Sequence, residues 1–351
     1  MKKIKVGLIG FGNSGKTFHA PLLLAHSGYE IKMVSTSRTE EVKALLPDAD
    51  VVHDANSIFE NKSIELIVNC APNPLHYSLT KLALESGKHV VVEKPFVNES
   101  TEGVELISIA KQKNRILSVF QSRRFDSDFL TVKKLIASGR LGVIQQFESH
   151  FDRFRPTSRR ERWREQPHAG SGMFYDLGAH LIDQALELFG MPDQLFADIQ
   201  AQKADALIDD YFHLILYYGK MRVILHSSSF SATSPRFQIF GGKATFVKYG
   251  LDPQEGQLKQ GLSPKDAVFG VEATSLQGTF TDSETLKNEP IPTEKGAYSR
   301  FYEELYLAIE TGNEPPVRAQ SALLTIQLIE LALESARLGQ VVAVKGRFKL
   351  Q

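Results

Sequence analysis

Short apolar runs and longer amphipathic segments alternate along the first third of the chain. The apolar runs predict buried β-strands, and the segments between them, in which apolar residues recur every three or four positions, predict helices. We expect strands at 4–9, 29–34, 64–69, 90–92 and 116–120, and helices at 14–25, 77–86 and 101–113. The uninterrupted triplet Val90-Val91-Val92 is typical of a parallel strand that is covered on both faces. This alternation indicates a doubly wound parallel sheet of the α/β class.

The pattern of apolar positions changes after about residue 121. Apolar and polar residues alternate at 143–151, 212–218, 222–230 and 236–240, which predicts longer antiparallel strands with one covered face. Helical spacing occurs at 129–136, 298–310 and 321–338, and 251–292 is expected to hold loops and short strands. A chain of 351 residues is longer than one hydrophobic core usually serves. We therefore expect a parallel-sheet domain at 1–121 and an α+β domain with a large, mostly antiparallel sheet at 122–351.

The composition argues against several kinds of partner. Lys and Arg number 41, as do Asp and Glu, so the balanced charge gives no footprint for nucleic acid or a membrane surface. The sequence contains no run of about 18 apolar residues, and its first strand follows Lys3 without the apolar stretch of a signal peptide. Cys70 is the only cysteine, which excludes an internal disulfide. We expect a soluble, uncleaved protein in a reducing cytoplasm that recognises a small molecule.

A glycine-rich segment follows the first predicted strand directly and precedes a predicted helix. It reads Gly10-Phe11-Gly12-Asn13-Ser14-Gly15. In a Rossmann dinucleotide-binding domain the first glycine allows a tight turn, the second lets the pyrophosphate approach the backbone, and the third lets helix and strand pack closely. The start of the helix then offers free N–H groups to the phosphates. The alternative is that these glycines only form a turn.

The end of the second predicted strand bears on the choice of cofactor. NAD-specific sites usually carry an acidic residue there, which binds the ribose hydroxyls. This chain has Ser37 and Arg38 instead, and these side chains suit a 2′-phosphate by hydrogen bonding and charge. We therefore predict NADP(H) as the cofactor. The alternative is that Arg38 is a solvated turn residue beside Glu40 and Glu41.

Two further segments follow predicted strands and are expected at the same edge of the sheet. Ala71, Pro72 and Asn73 form a turn after the strand at 64–69, and His76 is expected to line the cofactor cleft behind it. Glu93-Lys94-Pro95 follows the valine triplet, and the proline is expected to keep this tripeptide extended.

An acid and an imidazole are spaced to share one helical face in the second domain. Asp176 and His180 are four residues apart before a helix that runs towards Gly190. Removal of a proton from a secondary alcohol suits histidine, which titrates near neutral pH. The alternative is an ordinary solvated polar face, since Asp183 and Glu187 continue it.

In their order along the chain, the glycine motif, Glu93-Lys94-Pro95 and the Asp176/His180 pair resemble the Gfo/Idh/MocA oxidoreductase family. More narrowly, segments 123–130, 162–165 and 175–180 resemble the NADP-dependent scyllo-inositol dehydrogenases within it. The resemblance implies a catalytic trio of Lys94, Asp176 and His180. In that trio Lys94 stabilises charge on the reacting oxygen, His180 is the general base of oxidation and Asp176 holds the substrate. The alternative for Lys94 is a surface ion pair with Glu93.

The resemblance extends to further residues. Trp163 and Arg164 are expected over the nicotinamide, although Trp163 could equally anchor its loop and the surrounding arginines could be solvated. Arg124 and Asp126 are expected to bind substrate hydroxyls, and Tyr298 either does so or occupies a core position at a helix start. His19, His26, His150, His213 and His226 lack the spacing of metal ligands, so no metal is expected.

These observations predict an NADP(H)-dependent oxidoreductase that transfers a hydride between nicotinamide and a secondary hydroxyl or carbonyl of a cyclic polyol or sugar, with scyllo-inositol as the substrate of the subgroup. Two alternatives stay open: an aldose or ketosugar reductase of the same family, and a non-catalytic regulator that senses NAD(P). A homodimer, or a tetramer of such dimers paired through the broad sheet, is expected from the resemblance.

Overall fold

The computed structural model describes residues 2–159 and 165–348, which divide into two compact units. Within the described residues, the first unit consists of 2–125, 253–270 and 296–323, and the remainder forms the second unit. No helix in the described part of the chain is long and apolar enough to cross a bilayer.

The first unit contains a six-stranded parallel sheet with the strand order β3-β2-β1-β4-β5-β6. Its strands are β1 (Ile4–Ile9), β2 (Tyr29–Ser35), β3 (Asp50–Val52), β4 (Leu66–Asn69), β5 (His89–Glu93) and β6 (Leu117–Phe120). The valine triplet of β5 is fully buried, as expected for a parallel strand with both faces covered. The α/β class and the doubly wound sheet are confirmed.

The second unit contains a nine-stranded sheet with the strand order β14-β13-β12-β11-β7-β10-β9-β8-β15. Its strands are β7 (Ile144–His150), β8 (Gln194–Gln200), β9 (Tyr211–Tyr218), β10 (Met221–Ser228), β11 (Phe237–Gly241), β12 (Ala244–Lys248), β13 (Gly278–Asp282), β14 (Asn288–Ile291) and β15 (Val342–Ala343). β7 and β10 are parallel and the other neighbours are antiparallel. The sheet is therefore mostly antiparallel, as predicted, with a parallel pair at its centre.

The described residues also form α-helices that pack in both units. They are α1 (Ala20–Ala25), α2 (Thr39–Leu45), α3 (Asn56–Glu60), α4 (His76–Glu85), α5 (Ser100–Gln112), α6 (Ser127–Ala137), α7 (Ala179–Phe189), α8 (Gln254–Lys259), α9 (Tyr298–Thr311) and α10 (Ala319–Leu338). The segment 251–292, expected to hold loops and short strands, contributes α8 to the first unit and β13 and β14 to the second.

Helix α9 belongs to the first unit, although the sequence assigned everything after residue 121 to the second domain. Its residues Phe301 and Tyr302 are fully buried, and the ring of Phe301 packs edge-to-face on Phe120 of β6 at 4.9 Å. The hydroxyl of Tyr29 in β2 donates to the carbonyl oxygen of Tyr302 at 2.9 Å. The grouping therefore differs from a single division at residue 122, because a distant aromatic helix completes the core of the first unit.

Truncation of this aromatic helix should destabilise the first unit. We expect Phe301→Ala to lower the free energy of unfolding by about 3–5 kcal/mol, as for other buried aromatic residues. The matched control is Leu307→Ala in the same helix. Leu307 is 54% exposed, so its loss should cost within about 0.5 kcal/mol. Urea unfolding followed by circular dichroism measures both, and equal effects of the two changes would contradict this packing.

Candidate functional site

The strand order of the first unit reverses between β1 and β4. In open parallel sheets, ligands bind outside the carboxyl ends of the strands at such a reversal. The turn Gly10–Gly15 follows β1 there, residues 71–73 follow β4, and Glu93 ends the neighbouring strand β5. Three of the predicted segments therefore meet at one edge of the sheet.

The three glycines of the turn differ in what surrounds them. Gly10 has a φ of +88°, and a Cβ there would lie 2.7 Å from the carbonyl oxygen of Cys70. A Cβ on Gly15 would overlap the carbonyl oxygen of Gly10, so these two glycines permit close packing. A Cβ on Gly12 would have no atom of the described residues within 4 Å. The space at Gly12 is therefore open to an outside group, and the residues fit the pyrophosphate of a dinucleotide.

The helix after this turn begins differently from the prediction of one α-helix over 14–25. Gly15–His19 form a π-helical turn, and α1 starts at Ala20. Single π-helical turns inside helices occur often at functional sites. A second one, Phe174–Gly178, precedes α7 and contains Asp176. Both carry residues that the sequence placed in the functional site.

The carboxylate of Glu93 connects the glycine turn to the end of β5. The hydroxyl of Ser14 donates to Oε1, which lies 3.0 Å from Nε2 of His19, and the backbone N–H of Lys94 donates to Oε2 at 3.0 Å. Burial alone would raise the pKa of Glu93, but the hydrogen bonds from His19 and Ser14 and the charge of Lys94 outweigh it and lower that pKa. Glu93 is thus an acceptor for three different donors.

A buried chain of hydrogen bonds extends from Glu93 to α9. The hydroxyl of Tyr302 lies 2.5 Å from Nδ1 of His19, and both side chains are fully buried. Because a carboxylate only accepts, Nε2 of His19 donates to Glu93, and in a neutral imidazole Nδ1 then accepts from the hydroxyl of Tyr302. Sequence reasoning did not identify His19 and Tyr302 as site residues, since they are 283 positions apart and neither belongs to a recognisable motif.

Lys94 is half-buried and directly follows β5, where residues 94–96 form a bend. This differs from the extended tripeptide that was expected, and the Lys94–Pro95 peptide bond is cis.

His76 lies beneath the loops of this edge. It is 1% exposed, and its ring nitrogens lie 2.8 Å from the carbonyl oxygen of Pro95 and 2.9 Å from that of Ala71. Burial lowers the pKa of His76, and a neutral imidazole donates to one of these oxygens at a time. His76 was expected to line the cleft. It is instead buried, where it connects the loop at Ala71 to the loop at Pro95.

Ser37 and Arg38 follow β2 and are exposed. In a Rossmann domain the residues at this position bind the adenosine ribose of the cofactor. Arg38 Nη1 lies 3.2 Å from Oε1 of Glu41, and Lys16 Nζ lies 2.7 Å from Oε2 of the same residue. This pairing agrees with the alternative of a solvated turn residue. Such exposed ion pairs are weak, so they leave Arg38 able to bind an anion.

In the second unit, Asp176 is half-buried and His180 is 7% exposed. The ring of His180 lies 6.3 Å from that of Phe151. Asp183 is 1% exposed, so this polar face is largely buried. The alternative of an ordinary solvated face is therefore not supported, although Glu187 does pair with Lys133 at 2.5 Å.

Asp209 caps the π-helical turn that carries Asp176, and sequence reasoning missed it. Its carboxylate accepts from the backbone N–H of Phe174 at 2.6 Å, and its carbonyl oxygen accepts from that of Met173 at 3.0 Å. A Cβ on Gly172, whose φ is +93°, would overlap this carboxylate. Burial raises the pKa of Asp209 to about 6, despite the opposing backbone hydrogen bonds.

The remaining predicted residues are spread over both units. Arg124 donates to the hydroxyl of Ser321 at 3.1 Å in the first unit, and Asp126 is 1% exposed in the second. Tyr298 is fully buried at the first residue of α9, with its hydroxyl accepting from Arg123 at 3.0 Å. This is the core position that the sequence left as the alternative for Tyr298. Trp163 and Arg164 lie outside the described residues.

Comparison with known families assigns both halves of the chain. The NAD-binding Rossmann fold of the Gfo/Idh/MocA oxidoreductases matches residues 4–121, and their C-terminal alpha/beta domain matches residues 133–344. The chain belongs to the Gfo/Idh/MocA oxidoreductase family. The resemblance seen in the motifs is thereby confirmed.

Individual members of the Gfo/Idh/MocA family are similar over nearly the whole chain. Scyllo-inositol 2-dehydrogenase (NADP(+)) IolW of Bacillus subtilis is 43% identical over 337 residues, which cover 95% of this chain and 94% of that protein. The uncharacterised oxidoreductase YdgJ of Escherichia coli is 45% identical over 335 residues, covering 95% and 96%. The structure of yvaA from Bacillus subtilis has a TM-score of 0.95 at 41% identity, covering 98% of this chain and 99% of that one.

The raised pKa of Asp209 predicts a pH-dependent contribution to stability. An unfolded chain releases this proton near 3.8 and the folded chain near 6. The contribution of protonated Asp209 to the free energy of unfolding is therefore fully present below pH 3.8, and it is lost as the pH rises through 6. It amounts to at most about 3 kcal/mol. We expect Asp209→Asn to remove this decrease in stability with rising pH, which is measured as the urea midpoint of unfolding between pH 4 and 7. Parallel curves for the two proteins would contradict the assignment.

Proposed function

We propose that this chain is an NADP(H)-dependent oxidoreductase acting on a secondary hydroxyl or carbonyl of a cyclic polyol or sugar. The observation that carries the proposal is the position of Lys94. It follows β5 at the sheet edge where the glycine turn lies, and its backbone N–H donates to the carboxylate that also binds Ser14. The substrate class and the preference for NADP(H) are supported by the 43% identity to a protein named as an NADP(+)-dependent scyllo-inositol dehydrogenase.

The proposed cofactor site uses the glycine turn and the end of β2. The backbone at Gly12 accepts the pyrophosphate, because nothing in the described chain fills the space that its missing Cβ leaves. Ser37 and Arg38 bind the 2′-phosphate, and residues 71–73 border the same edge. The bound nicotinamide supplies or accepts the hydride.

The proposed catalytic groups are Lys94, Asp176 and His180. Lys94 donates a hydrogen bond to the reacting oxygen and stabilises the charge that develops on it. His180 accepts the hydroxyl proton during oxidation and returns it during reduction. Asp176 binds a substrate hydroxyl, with Arg124 and Asp126 as further polar groups for substrate. Asp209 fixes the turn on which Asp176 stands.

We further propose that the protein pairs through the outer face of the nine-stranded sheet, as a homodimer or a tetramer of such dimers. Apolar side chains that are only half-buried in the single chain alternate with buried ones along these strands, as at Phe196, Ile215 and Ile224. A sheet face of this kind gains stability when a second copy covers it.

Removal of the arginine at the end of β2 should weaken NADP(H) selectively. Charge-assisted hydrogen bonds contribute roughly 1.5–3 kcal/mol, so we expect Arg38→Ala to raise the Michaelis constant for NADP(H) by about 10- to 100-fold. The constant for NAD(H) should change little. Lys3→Ala, which removes an exposed cation before β1, is the control. A preference of the wild-type protein for NAD(H) would contradict the proposal that NADP(H) is the cofactor.

The function itself is tested by absorbance at the reduced-nicotinamide band with a panel of inositols, aldoses and ketosugars. We expect turnover with NADP(H), and a loss of roughly 100- to 10,000-fold in kcat for His180→Ala, as is usual when a general base is removed. Unchanged NADPH binding by the variant shows that it is folded. If His180→Ala keeps most of its turnover at neutral pH, the assigned base is wrong. Tight NADPH binding without turnover of any panel member, together with a specific protein partner, would favour the regulator instead.

A further inference from the structure

Three histidines form a row on the outer face of the nine-stranded sheet. His226 of β10 is paired directly with His150 of the parallel strand β7 and with His213 of the antiparallel strand β9. Directly paired residues of neighbouring strands point to the same face of a sheet. The rings of His150 and His226 lie 5.3 Å apart, and those of His213 and His226 lie 5.7 Å apart.

A carboxylate lies between two of these imidazoles. Asp152 follows β7 two residues after His150, and its carboxylate contacts the rings of His150 and His226. Its Oδ1 is 2.9 Å from Nδ1 of His226, and its Oδ2 is 3.5 Å from Nδ1 of His150. One nitrogen from each imidazole and one carboxylate oxygen all lie within 4.8 Å of one another. A single ion at ordinary ligand distances of about 2.0–2.2 Å holds its donors within roughly 4.4 Å of one another, so these three atoms are already near the spacing that one ion requires.

We propose that His150, Asp152 and His226 form a binding site for a divalent transition metal, with Zn²⁺ as its best-matched ion. Two imidazoles and one carboxylate suit zinc and its neighbours, whereas calcium and magnesium prefer sites made of oxygen ligands. The three side chains are 14%, 4% and 17% exposed, respectively. In the single chain the site is therefore largely desolvated but still reached by solvent, and a water molecule would complete the coordination of a bound ion.

The groups around the cluster have the arrangement that supports metal ligands. Nε2 of His150, on the ring edge away from Asp152, lies 3.2 Å from the carboxylate of Glu148. Glu148 in turn accepts from the amide of Gln238 at 3.2 Å. A ligating histidine commonly donates its other N–H to a carboxylate, which orients the ring and makes it a better ligand. The backbone N–H of Ser228 likewise holds Asp152 Oδ1 at 2.8 Å.

The same side chains could instead form a network of ion pairs without a metal. A metal-free network requires hydrogen atoms between Asp152 and both Nδ1 atoms, whereas a bound metal replaces them. Zinc therefore has to displace these hydrogen atoms when it binds. If the three side chains form a metal site, the loss of any one of them weakens zinc binding. The proposal departs from the expectation of no metal, which considered spacing along the sequence and did not consider neighbours across strands.

Zinc titration of the complete protein tests the site. After removal of metal with a chelator, we expect calorimetry to give about one Zn²⁺ bound per chain. Because this face is also proposed to pair two copies, the titration uses the assembled protein. Outer groups such as Glu148 typically contribute 10- to 100-fold to metal affinity, so Glu148→Gln should weaken binding by about that factor. His226→Asn and Asp152→Asn, which remove proposed ligands, should weaken it more than Glu148→Gln does. His53→Asn, which changes an exposed histidine of the first unit, should bind like wild type.

A second measurement does not depend on whether the variants fold. Crystals of the wild-type protein soaked in Zn²⁺ should give an anomalous peak at the zinc absorption edge between Nδ1 of His150, Nδ1 of His226 and the carboxylate of Asp152. The proposal is overturned if no peak appears there, or if folded His226→Asn binds zinc as tightly as wild type.

Discussion

The arrangement of the loops in the first unit depends on the hydrogen bonds made by one largely buried carboxylate, that of Glu93. A charge taken out of water is costly unless it is hydrogen-bonded, and Glu93 receives its donors from three directions: the glycine turn through Ser14, the first helix through His19, and its own strand end through the N–H of Lys94. Because each donor comes from a different segment, the carboxylate holds them in one arrangement. The geometry of the candidate cofactor site therefore follows from the need to satisfy this charge.

The same carboxylate explains why a helix from near the end of the chain is part of the first unit. His19 donates to Glu93 from Nε2, and in the neutral imidazole this leaves Nδ1 as a buried acceptor that needs a donor. The hydroxyl of Tyr302 in α9 provides it at 2.5 Å. Aromatic packing adds apolar contact around this polar chain, with Phe120 against His19 at 4.4 Å and against Phe301 at 4.9 Å. Polar satisfaction and apolar burial thus favour the same docking of α9.

Much of the fold could be predicted because it is encoded locally. The valine triplet of β5 and the glycines after β1 constrain the backbone within a few residues, and the parallel sheet and its turn are confirmed. Contacts between distant segments could not be predicted in this way. Asp209 binds the turn at Phe174 across 35 positions, and the parallel pairing of β7 with β10 depends on how the whole sheet is ordered. Neither contact leaves a periodic pattern in the sequence.

The candidate sites were also only partly predictable, because they too depend on contacts between distant segments. A helical spacing of four predicted that Asp176 and His180 share one face, but that prediction assumed a regular α-helix, whereas Phe174–Gly178 form a π-helical turn. For the row of histidines even an approximate spacing is absent, because His150, His226 and His213 meet through the register of three strands. Side chains two residues apart on one strand, such as Glu148 and His150, share a face wherever the strand lies. Their partners on other strands are set only by the sheet order, so clusters across a sheet have to be sought in the folded chain.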